Sequence, residues 1–351
     1  MEDSVHFTED TAPIQNAAQL SSVDENVYRR PVDESGLAIP DEPASEQSTS
    51  GYTYVIAVAS QKGGVAKTTT VVSLGGALVK RNKEVLVVDM DAQANLTLAL
   101  GNDPNRMRNA ITEVMFNSAT MISVSRETSI PGLDLIPSNS GMDLAERFLP
   151  VRKEYEIILH RAIDTELRSV ELGQSSYNRV EQNTEQSNFP YEASGTGQTS
   201  LTGTQAPAST LAPTIHYDYV ILDCPPFMGA VTLNALIASD MLIIPTQPEY
   251  FSAHALRAMM SSIRQVRSQY NSNLIYRILI TMFDGRNRIH REVGDQIRNT
   301  FGEGVFATQI GIDTKLRESA IEGLPITHHR SQSRGALQYD DLAQEIMQYV
   351  R

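Results

Sequence analysis

The sequence predicts an α/β domain with a mostly parallel, twisted sheet and helices on both faces. Residues 54–59 and 217–223 are short apolar, β-branched runs without polar alternation, which is typical of strands buried on both faces. Segments in which apolar residues recur at helical spacing, such as residues 69–81, lie between such runs. Because strands that alternate with helices favour parallel pairing through right-handed crossovers, we expect a single domain over residues 52–351.

Two polar segments differ in composition from the expected domain. Residues 1–50 contain eleven acidic residues and two arginines, a net charge of −9 in a chain whose total is −13. Such a segment buries too little apolar surface to offset its ordering entropy, so we expect an acidic disordered tail, either a partner-binding arm or simply solvated. Residues from about 165 to 213 are rich in Ser, Gln, Thr and Gly and too numerous for an ordinary loop, which predicts a disordered surface insert.

The loop between the first predicted strand and helix has the residues of a phosphate-binding site. Unpaired N–H groups at the helix N-terminus, together with the small Gly63 and Gly64, form a cradle for an anion. Lys67 is placed to reach the β and γ phosphates, and Thr68 to offer its hydroxyl to Mg²⁺. We call residues 61–69 the phosphate loop. Its candidate nucleotide-binding residues are Gln61, Lys62, Gly63, Gly64, Val65, Ala66, Lys67, Thr68 and Thr69.

The phosphate loop departs from the generic nucleotide-binding pattern at both of its glycines. Gln61 occupies the position of the first glycine and Ala66 that of the second. Lysine- and glycine-containing turns also occur between strands and helices without any ligand, so the loop alone leaves nucleotide binding open. An alanine fits at position 66 only if its φ is negative, and we expect that conformation.

Three carboxylates follow strands that we expect to end beside this loop. Asp89 and Asp91 come at the end of a second apolar run, and Asp223 ends the run at residues 217–223. Ligands of open α/β sheets bind at the carboxyl ends of the strands, and Asp223 is placed like the acid that supports Mg²⁺ in phosphoryl-transfer enzymes. A single aspartate at such a position is more often a cap or turn residue. The ends of three strands, one before the phosphate loop and two that carry these carboxylates, together predict one phosphate site and one metal site.

At these motifs the chain resembles the ParA/Soj/MinD family of deviant Walker ATPases, and specifically its ParA (Soj-like) branch. The resemblance covers about residues 52 to 350 apart from the insert and implies the P-loop NTPase fold. The matching segments are residues 61–69, 88–95, 135–139, 218–226, 232–236, 245–250 and 281–286.

The resemblance implies ATP and Mg²⁺ as cofactors and a role for each acid and lysine. Lys62 corresponds to the signature lysine that crosses a nucleotide-sandwich dimer to contact the partner's ATP. Asp91 is implied to position the attacking water, so the expected catalytic residues are Lys62, Lys67 and Asp91. Those expected at the metal are Thr68, Asp91 and Asp223.

Cysteine and membrane signals exclude two other classes that share this loop. Cys224 is the sole cysteine, whereas nitrogenase iron-protein and iron–sulfur scaffold types need paired cysteines to hold a cluster. Membrane cycling requires a basic amphipathic helix at the C-terminus, but residues 342–351 carry one arginine beside Glu345, which favours a helix packed on the domain. No apolar run is long enough for a membrane span and no secretory signal is present, so we expect a cytoplasmic protein.

An arginine-rich segment favours DNA as a partner despite the acidic total. Residues 257–298 contain eight arginines against three acidic residues, a net charge of +5. Soj-like proteins bind DNA non-specifically through basic residues of this C-terminal third, although individual arginines on helices are usually just solvated. Residues 311–315 stand where the family has Pro-Arg-Asn-Val-Arg, with Ile312 in place of an arginine. The expected DNA-binding residues are Arg286, Arg288, Arg291, Lys315 and Arg317.

The resemblance therefore implies an ATP-hydrolysing partition ATPase associated with the nucleoid. ATP is expected to form its homodimer on non-specific double-stranded DNA, and a ParB-like partner to stimulate a slow hydrolysis and release it during chromosome or plasmid segregation. Two alternatives stay open: a ParA-like ATPase that positions a protein organelle or other cargo through an adaptor protein, and a nucleotide-binding adaptor with little turnover.

Overall fold

The computed structural model describes residues 52–168, 216–250 and 252–350. Its strands are β1 (Tyr54–Val58), β2 (Val85–Asp89), β3 (Arg126–Glu127), β4 (Leu133–Ile136), β5 (Tyr219–Asp223), β6 (Met241–Thr246), β7 (Ile275–Phe283) and β8 (Val305–Gly311). Its α-helices are α1 (Lys67–Val79), α2 (Asn95–Ala99), α3 (Ile111–Met115), α4 (Met121–Val124), α5 (Met142–Phe148), α6 (Ile158–Ile163), α7 (Ala230–Ala238), α8 (Ser252–Gln269), α9 (Arg288–Phe301), α10 (Lys315–Ile321), α11 (Ile326–His329) and α12 (Arg334–Met347).

Within the described residues, eight strands form one sheet in the order β3-β4-β2-β5-β1-β6-β7-β8. Every neighbouring pair is parallel except β3 and β4, which confirms the predicted mostly parallel sheet. Strand β1 lies between β5 and β6, and β5 lies between β1 and β2. The carboxyl ends of β1, β2 and β5 are therefore neighbours, with Asp223 paired in register to both Val58 and Asp89.

Apolar side chains cover both faces of the sheet because successive residues of a strand point to opposite sides. In β1, Val55 and Ala57 belong to one buried cluster, whereas Ile56 and Val58 belong to the other. The helices that lie on each face complete these two cores. The predicted continuous apolar runs are thus explained by burial on both sides.

Helix α12 packs along the β8 edge of the sheet, as expected for the C-terminal segment. Leu342, Ala343 and Ile346 are fully buried. On the same helix, Glu345 accepts hydrogen bonds from the backbone N–H groups of Ala307 and Thr308, at 2.7 and 3.0 Å. The helix therefore satisfies edge N–H groups of β8 that are otherwise available for pairing with another chain.

The chain after α6 continues in a helical turn over Asp164–Arg168, so the described structure reaches slightly past the predicted start of the insert at about residue 165. Arg168 at the end of this turn donates to the carbonyl of Thr53 and pairs with Asp240 at 2.6 Å. These contacts tie the turn to the start of β1 and β6. The rest of the insert and the acidic tail lie outside the described residues. Among those that are described, no helix is both long and apolar enough to cross a membrane.

Candidate functional site

The phosphate loop joins β1 to α1 and includes two residues with left-handed backbone conformation. Gly64 has φ 72°, and Ala66 has φ 67° and ψ 34°. The expected negative φ at Ala66 is therefore wrong. A left-handed alanine brings its Cβ close to the following carbonyl, at a cost of roughly 1–2 kcal/mol, which glycine avoids. Ala66 is thus a locally strained residue at the first turn of α1.

The loop and the start of α1 form one wall of a pocket of about 450 Å³, which we call the nucleotide-sized pocket. Lys67 is 9% exposed, and its position in the first helical turn is that of a lysine that neutralises bound phosphate. Six of the predicted nucleotide-binding residues line this pocket: Gly63, Gly64, Ala66, Lys67, Thr68 and Thr69. Free N–H groups at the start of α1 and the positive end of its dipole suit this wall to an anion.

Thr68 and Asp223 meet in the manner of a Mg²⁺ site. Thr68 Oγ1 donates to Asp223 Oδ2 at 2.7 Å, whereas the buried Oδ1 of Asp223 has no hydrogen-bond partner among the described residues. Burial, and then the nearby Asp89 carboxylate, raise the pKa of Asp223 well above its usual value. A divalent cation held by Thr68 and Asp223 would offset both effects, because its positive charge favours the ionised carboxylate.

The residues present fit Mg²⁺ rather than a metal held by protein alone. The described residues include no cluster of three or more His, Cys, Asp or Glu that can hold a metal. Mg²⁺ characteristically uses one or two protein ligands and completes its shell with phosphate oxygens and water. Thr68 and Asp223 supply such a partial set beside the phosphate loop.

The two carboxylates that follow β2 have different surroundings. Asp89 is fully buried and accepts from the N–H and the hydroxyl of Thr97, at 2.8 and 2.7 Å. Burial raises the pKa of Asp89 to about 6, although the hydrogen bonds from Thr97 oppose this shift. Asp91 is partly exposed and lines the nucleotide-sized pocket. Asp89 therefore braces the start of α2, while Asp91 faces the space where a substrate can bind.

Lys62 lies outside the lining of this pocket and pairs with Glu249, which follows β6. The Lys62 side chain is 29% exposed and that of Glu249 is 43% exposed, so the pair is at the surface. Gln61 and Val65 also lie outside the lining, and the carbonyl of Val65 accepts from Thr281 at 3.0 Å. Lys62 and Lys67 thus differ in position: Lys67 lines the pocket and Lys62 does not.

A second wall of the pocket comes from a part of the chain that the sequence did not assign to it. Its lining residues there are Met282, Ile310, Gly311, Ile312, Asp313, Leu316, Arg317 and Tyr339. The predicted parallel sheet could have indicated this wall, because the carboxyl ends of parallel strands lie at the same edge of the sheet. Strand β8 is parallel to β7, so its carboxyl end lies at the edge that carries the phosphate loop. Gln93, Asn95 and Pro226 complete the lining.

Arg286 precedes α9, Arg288 and Arg291 lie in the first turn of α9, and Lys315 and Arg317 lie in the first turn of α10. Three of these predicted DNA contacts pair with local acids. Arg286 pairs with Asp284, Arg288 with Glu292, and Lys315 with Glu318. Hydrogen bonds from the Arg286 side chain lower the pKa of Asp284 to about 2. A DNA phosphate must therefore compete with a carboxylate at each of these cations.

Arg291 and Arg317, the other two predicted DNA contacts, form no ion pair with an acid of the described residues, and they lie in different places. Other arginines of the arginine-rich segment have structural contacts. Arg291 donates to the carbonyl of Gly285 at 2.5 Å, whereas Arg317 lines the nucleotide-sized pocket. Arg277 stacks over the ring of Tyr349 at 4.5 Å, and Arg298 donates to the carbonyl of Phe306. The net charge of the segment thus overstates the number of cations available to DNA.

Comparison with known proteins agrees with this fold and pocket. A family model described as an AAA domain matches residues 53–170 and 210–276. The sporulation initiation inhibitor protein Soj of Bacillus subtilis is 32% identical over 293 residues, covering 83% of this chain and 97% of that protein. The chromosome partitioning protein ParA of Caulobacter vibrioides is 29% identical over 298 residues, 85% of this chain and 95% of its own.

A solved structure extends the similarity to a protein with bound nucleotide. Cobyrinic acid a,c-diamide synthase of Mycobacterium smegmatis, with an ATP analogue and magnesium, has a TM-score of 0.63 and 28% identity, covering 85% of this chain and 96% of that one. The sheet order, the pocket at the phosphate loop and the extent of the match to Soj lead to one assignment. This chain belongs to the Soj/ParA family of P-loop ATPases.

Proposed function

We propose that the chain binds ATP with Mg²⁺, hydrolyses it, and uses the nucleotide to control a homodimer that binds DNA. The pocket supports the first part, since it joins a helix N-terminus, a buried lysine and the Thr68–Asp223 pair in one place. The bound nucleotide of the Mycobacterium structure supports the same ligand. When bound, Mg²⁺ neutralises charge that develops on the phosphates.

Hydrolysis needs positioning more than covalent chemistry, and the residues at the pocket can supply it. Lys67 neutralises the phosphate oxygens from the first turn of α1. Asp91, partly exposed in the pocket, can accept a hydrogen bond from an attacking water and hold it in line. Asp89 is engaged by Thr97, so it is the less suitable of the two acids.

The observation that carries the dimer is the surface position of Lys62. This lysine is outside its own pocket and partly exposed, so a cation in the phosphate loop is available to a second subunit. A cation supplied in trans increases phosphoryl transfer by about 10³ to 10⁵ in related P-loop systems. Supplying it in this way makes hydrolysis dependent on dimerisation.

Lys62→Ala tests the dimer directly. We expect this variant to bind ATP, because Lys67 and the N–H groups of α1 remain, but to stay monomeric by sedimentation with ATP and Mg²⁺. Lys83→Ala is a matched control, because Lys83 also forms a partly exposed ion pair, with Asp218 at 3.0 Å. A Lys62→Ala protein that dimerises with ATP as the control does would contradict the proposal.

DNA binding is proposed to depend on this dimer because two subunits double the number of phosphate contacts. Each neutralised phosphate contributes a slope of about −0.9 to the logarithmic salt dependence. The residues we assign to this surface are the exposed Arg286, Arg288 and Arg291 and the partly exposed Lys315. We expect retention on non-specific DNA with ATP and Mg²⁺, weak retention with ADP, and a steep loss with salt. Equal retention on DNA with ATP and with ADP would refute the proposal that ATP controls DNA binding.

The similarity to Soj and to a chromosome partitioning ParA favours DNA segregation with a ParB-like partner that stimulates hydrolysis and releases the dimer. Positioning of a protein organelle uses the same ATPase cycle and differs in the cargo adaptor. A nucleotide-binding adaptor would dimerise without turnover. Phosphate release measured with DNA and with candidate partner peptides separates an ATPase from such an adaptor, since only an ATPase is stimulated.

A further inference from the structure

Helix α10 lies between two different surface features. Leu316 and Arg317 line the nucleotide-sized pocket. Lys315, at the first position of the same helix, lines a separate open cleft together with His329, Arg330 and Arg334. Lys315 and Arg317 are therefore close in sequence but line different cavities.

The part of the pocket that contains Arg317 has the composition of a nucleoside site. In the described part of the chain, the lining includes two basic residues, Lys67 on the phosphate loop wall and Arg317 on the wall formed by β8 and α10. Around Arg317 the lining is mostly apolar, with Ile310, Ile312 and Leu316. Phosphates are held at the phosphate loop, and an apolar wall suits the planar base rather than another anion.

The start of helix α10, which carries Arg317, is fixed to the body of the domain by Asp313. One carboxylate oxygen of Asp313 accepts from the N–H of Lys315 at 3.0 Å, and the other accepts from the N–H of Gly335 at 2.9 Å. These bonds connect the start of α10 to the start of α12. Arg317 is exposed and forms no ion pair with an acidic side chain of the described residues. Its guanidinium is therefore available to a ligand while its backbone is held in place.

We propose that Arg317 contacts the base of bound ATP, with the planar guanidinium stacked on the ring. This inference rests on the proposed ATP site and replaces the assignment of Arg317 to the DNA surface. Guanidinium groups stack on aromatic faces, whereas an ammonium group lacks the planar surface to do so. For an exposed stack of this kind, removal of the guanidinium weakens binding by about two- to fivefold.

Calorimetric titration of the full chain with ATP and with inorganic tripolyphosphate, both with Mg²⁺, tests this assignment. Arg317→Ala is expected to weaken ATP binding about two- to fivefold and to leave tripolyphosphate binding unchanged, because only ATP has a base. Arg317→Lys is expected to resemble Arg317→Ala. Arg330→Ala is the matched control, since this exposed arginine lines the neighbouring cleft, and it should bind both ligands as the unaltered protein does.

Each other result overturns the assignment. If Arg317→Ala weakens ATP and tripolyphosphate equally, the arginine acts on phosphate. If Arg317→Lys retains full affinity, its charge matters and the stack does not. If ATP affinity is unchanged in Arg317→Ala while retention on DNA falls, the residue belongs to the DNA surface. Failure of the unaltered protein to bind ATP would instead refute the proposed function, so the two failures are distinguishable.

Discussion

Replacing Glu249 by glutamine tests whether Lys62 is held back by its own subunit before it reaches a partner. In the monomer, Lys62 pairs with Glu249 at the surface beside β6. A lysine that must contact the nucleotide of a second subunit has to leave this pair first. Glutamine keeps the size of the side chain and removes the charge, so Glu249→Gln should strengthen the ATP-dependent dimer.

The size of the effect follows from the exposure of the pair. The side chains are 29% and 43% exposed, and such ion pairs contribute about 0.2–1 kcal/mol. A homodimer must break two of them, one in each subunit, so the dimer gains about 0.4–2 kcal/mol when both are removed. This free energy corresponds to an approximately 2- to 30-fold lower dimer dissociation constant.

Sedimentation equilibrium with a non-hydrolysable ATP analogue and Mg²⁺ measures this constant. Glu154→Gln is a matched control, because Glu154 also forms an exposed ion pair, with Arg161 at 2.6 Å, that does not involve the phosphate loop. The control should dimerise as the unaltered protein does. A Glu249→Gln dimer that is equal to or weaker than the control would show that Glu249 does not compete for Lys62, and would refute the reasoning.

Three further substitutions have expected outcomes. Ala66→Gly removes the strain of the left-handed alanine and should raise the free energy of unfolding by about 1 kcal/mol. The melting temperature should therefore rise, and an unchanged melting temperature would show that Ala66 is not strained. Asp223→Asn removes a carboxylate whose ionised form is disfavoured by burial and by Asp89, so the nucleotide-free protein should melt at the same or a higher temperature. The variant should lose the extra stabilisation that Mg²⁺ gives with ATP, and a Mg²⁺ effect of normal size would contradict the metal site. Gly76→Ala places a Cβ 2.3 Å from that of Pro325 and should cost about 1–3 kcal/mol in urea unfolding; an unaltered midpoint would contradict the close packing.

Much of the architecture could be predicted because burial on both faces of a parallel sheet leaves a direct pattern in the sequence. The apolar runs before the phosphate loop and before Asp223 became β1 and β5, and their ends meet as expected. Residues 165–168 are mostly polar and do not predict ordered structure, yet Leu167 is 2% exposed and Arg168 is bound to the domain. Local composition does not report such long-range contacts.

The candidate site was predictable where function depends on adjacent residues and less so where it depends on distant ones. Lys67 and Thr68 are neighbours in a helical turn, so their placement on one wall of the pocket follows from the sequence. The different surroundings of Asp89 and Asp91 depend on Thr97, which lies one loop later. The conformation of Ala66 also could not be predicted, because the turn into α1 imposes it against the preference of an alanine.

The sequence by itself determined the fold class, the phosphate loop and the family, because periodicity and short motifs are properties of neighbouring residues. Only the tertiary structure decided which cations and acids face which site. It placed Lys62 beside Glu249 at the surface, and it placed Arg317 at a pocket wall rather than beside the cations assigned to DNA. The physical reason is that charge and burial depend on what folds nearby, and those neighbours come from other parts of the chain.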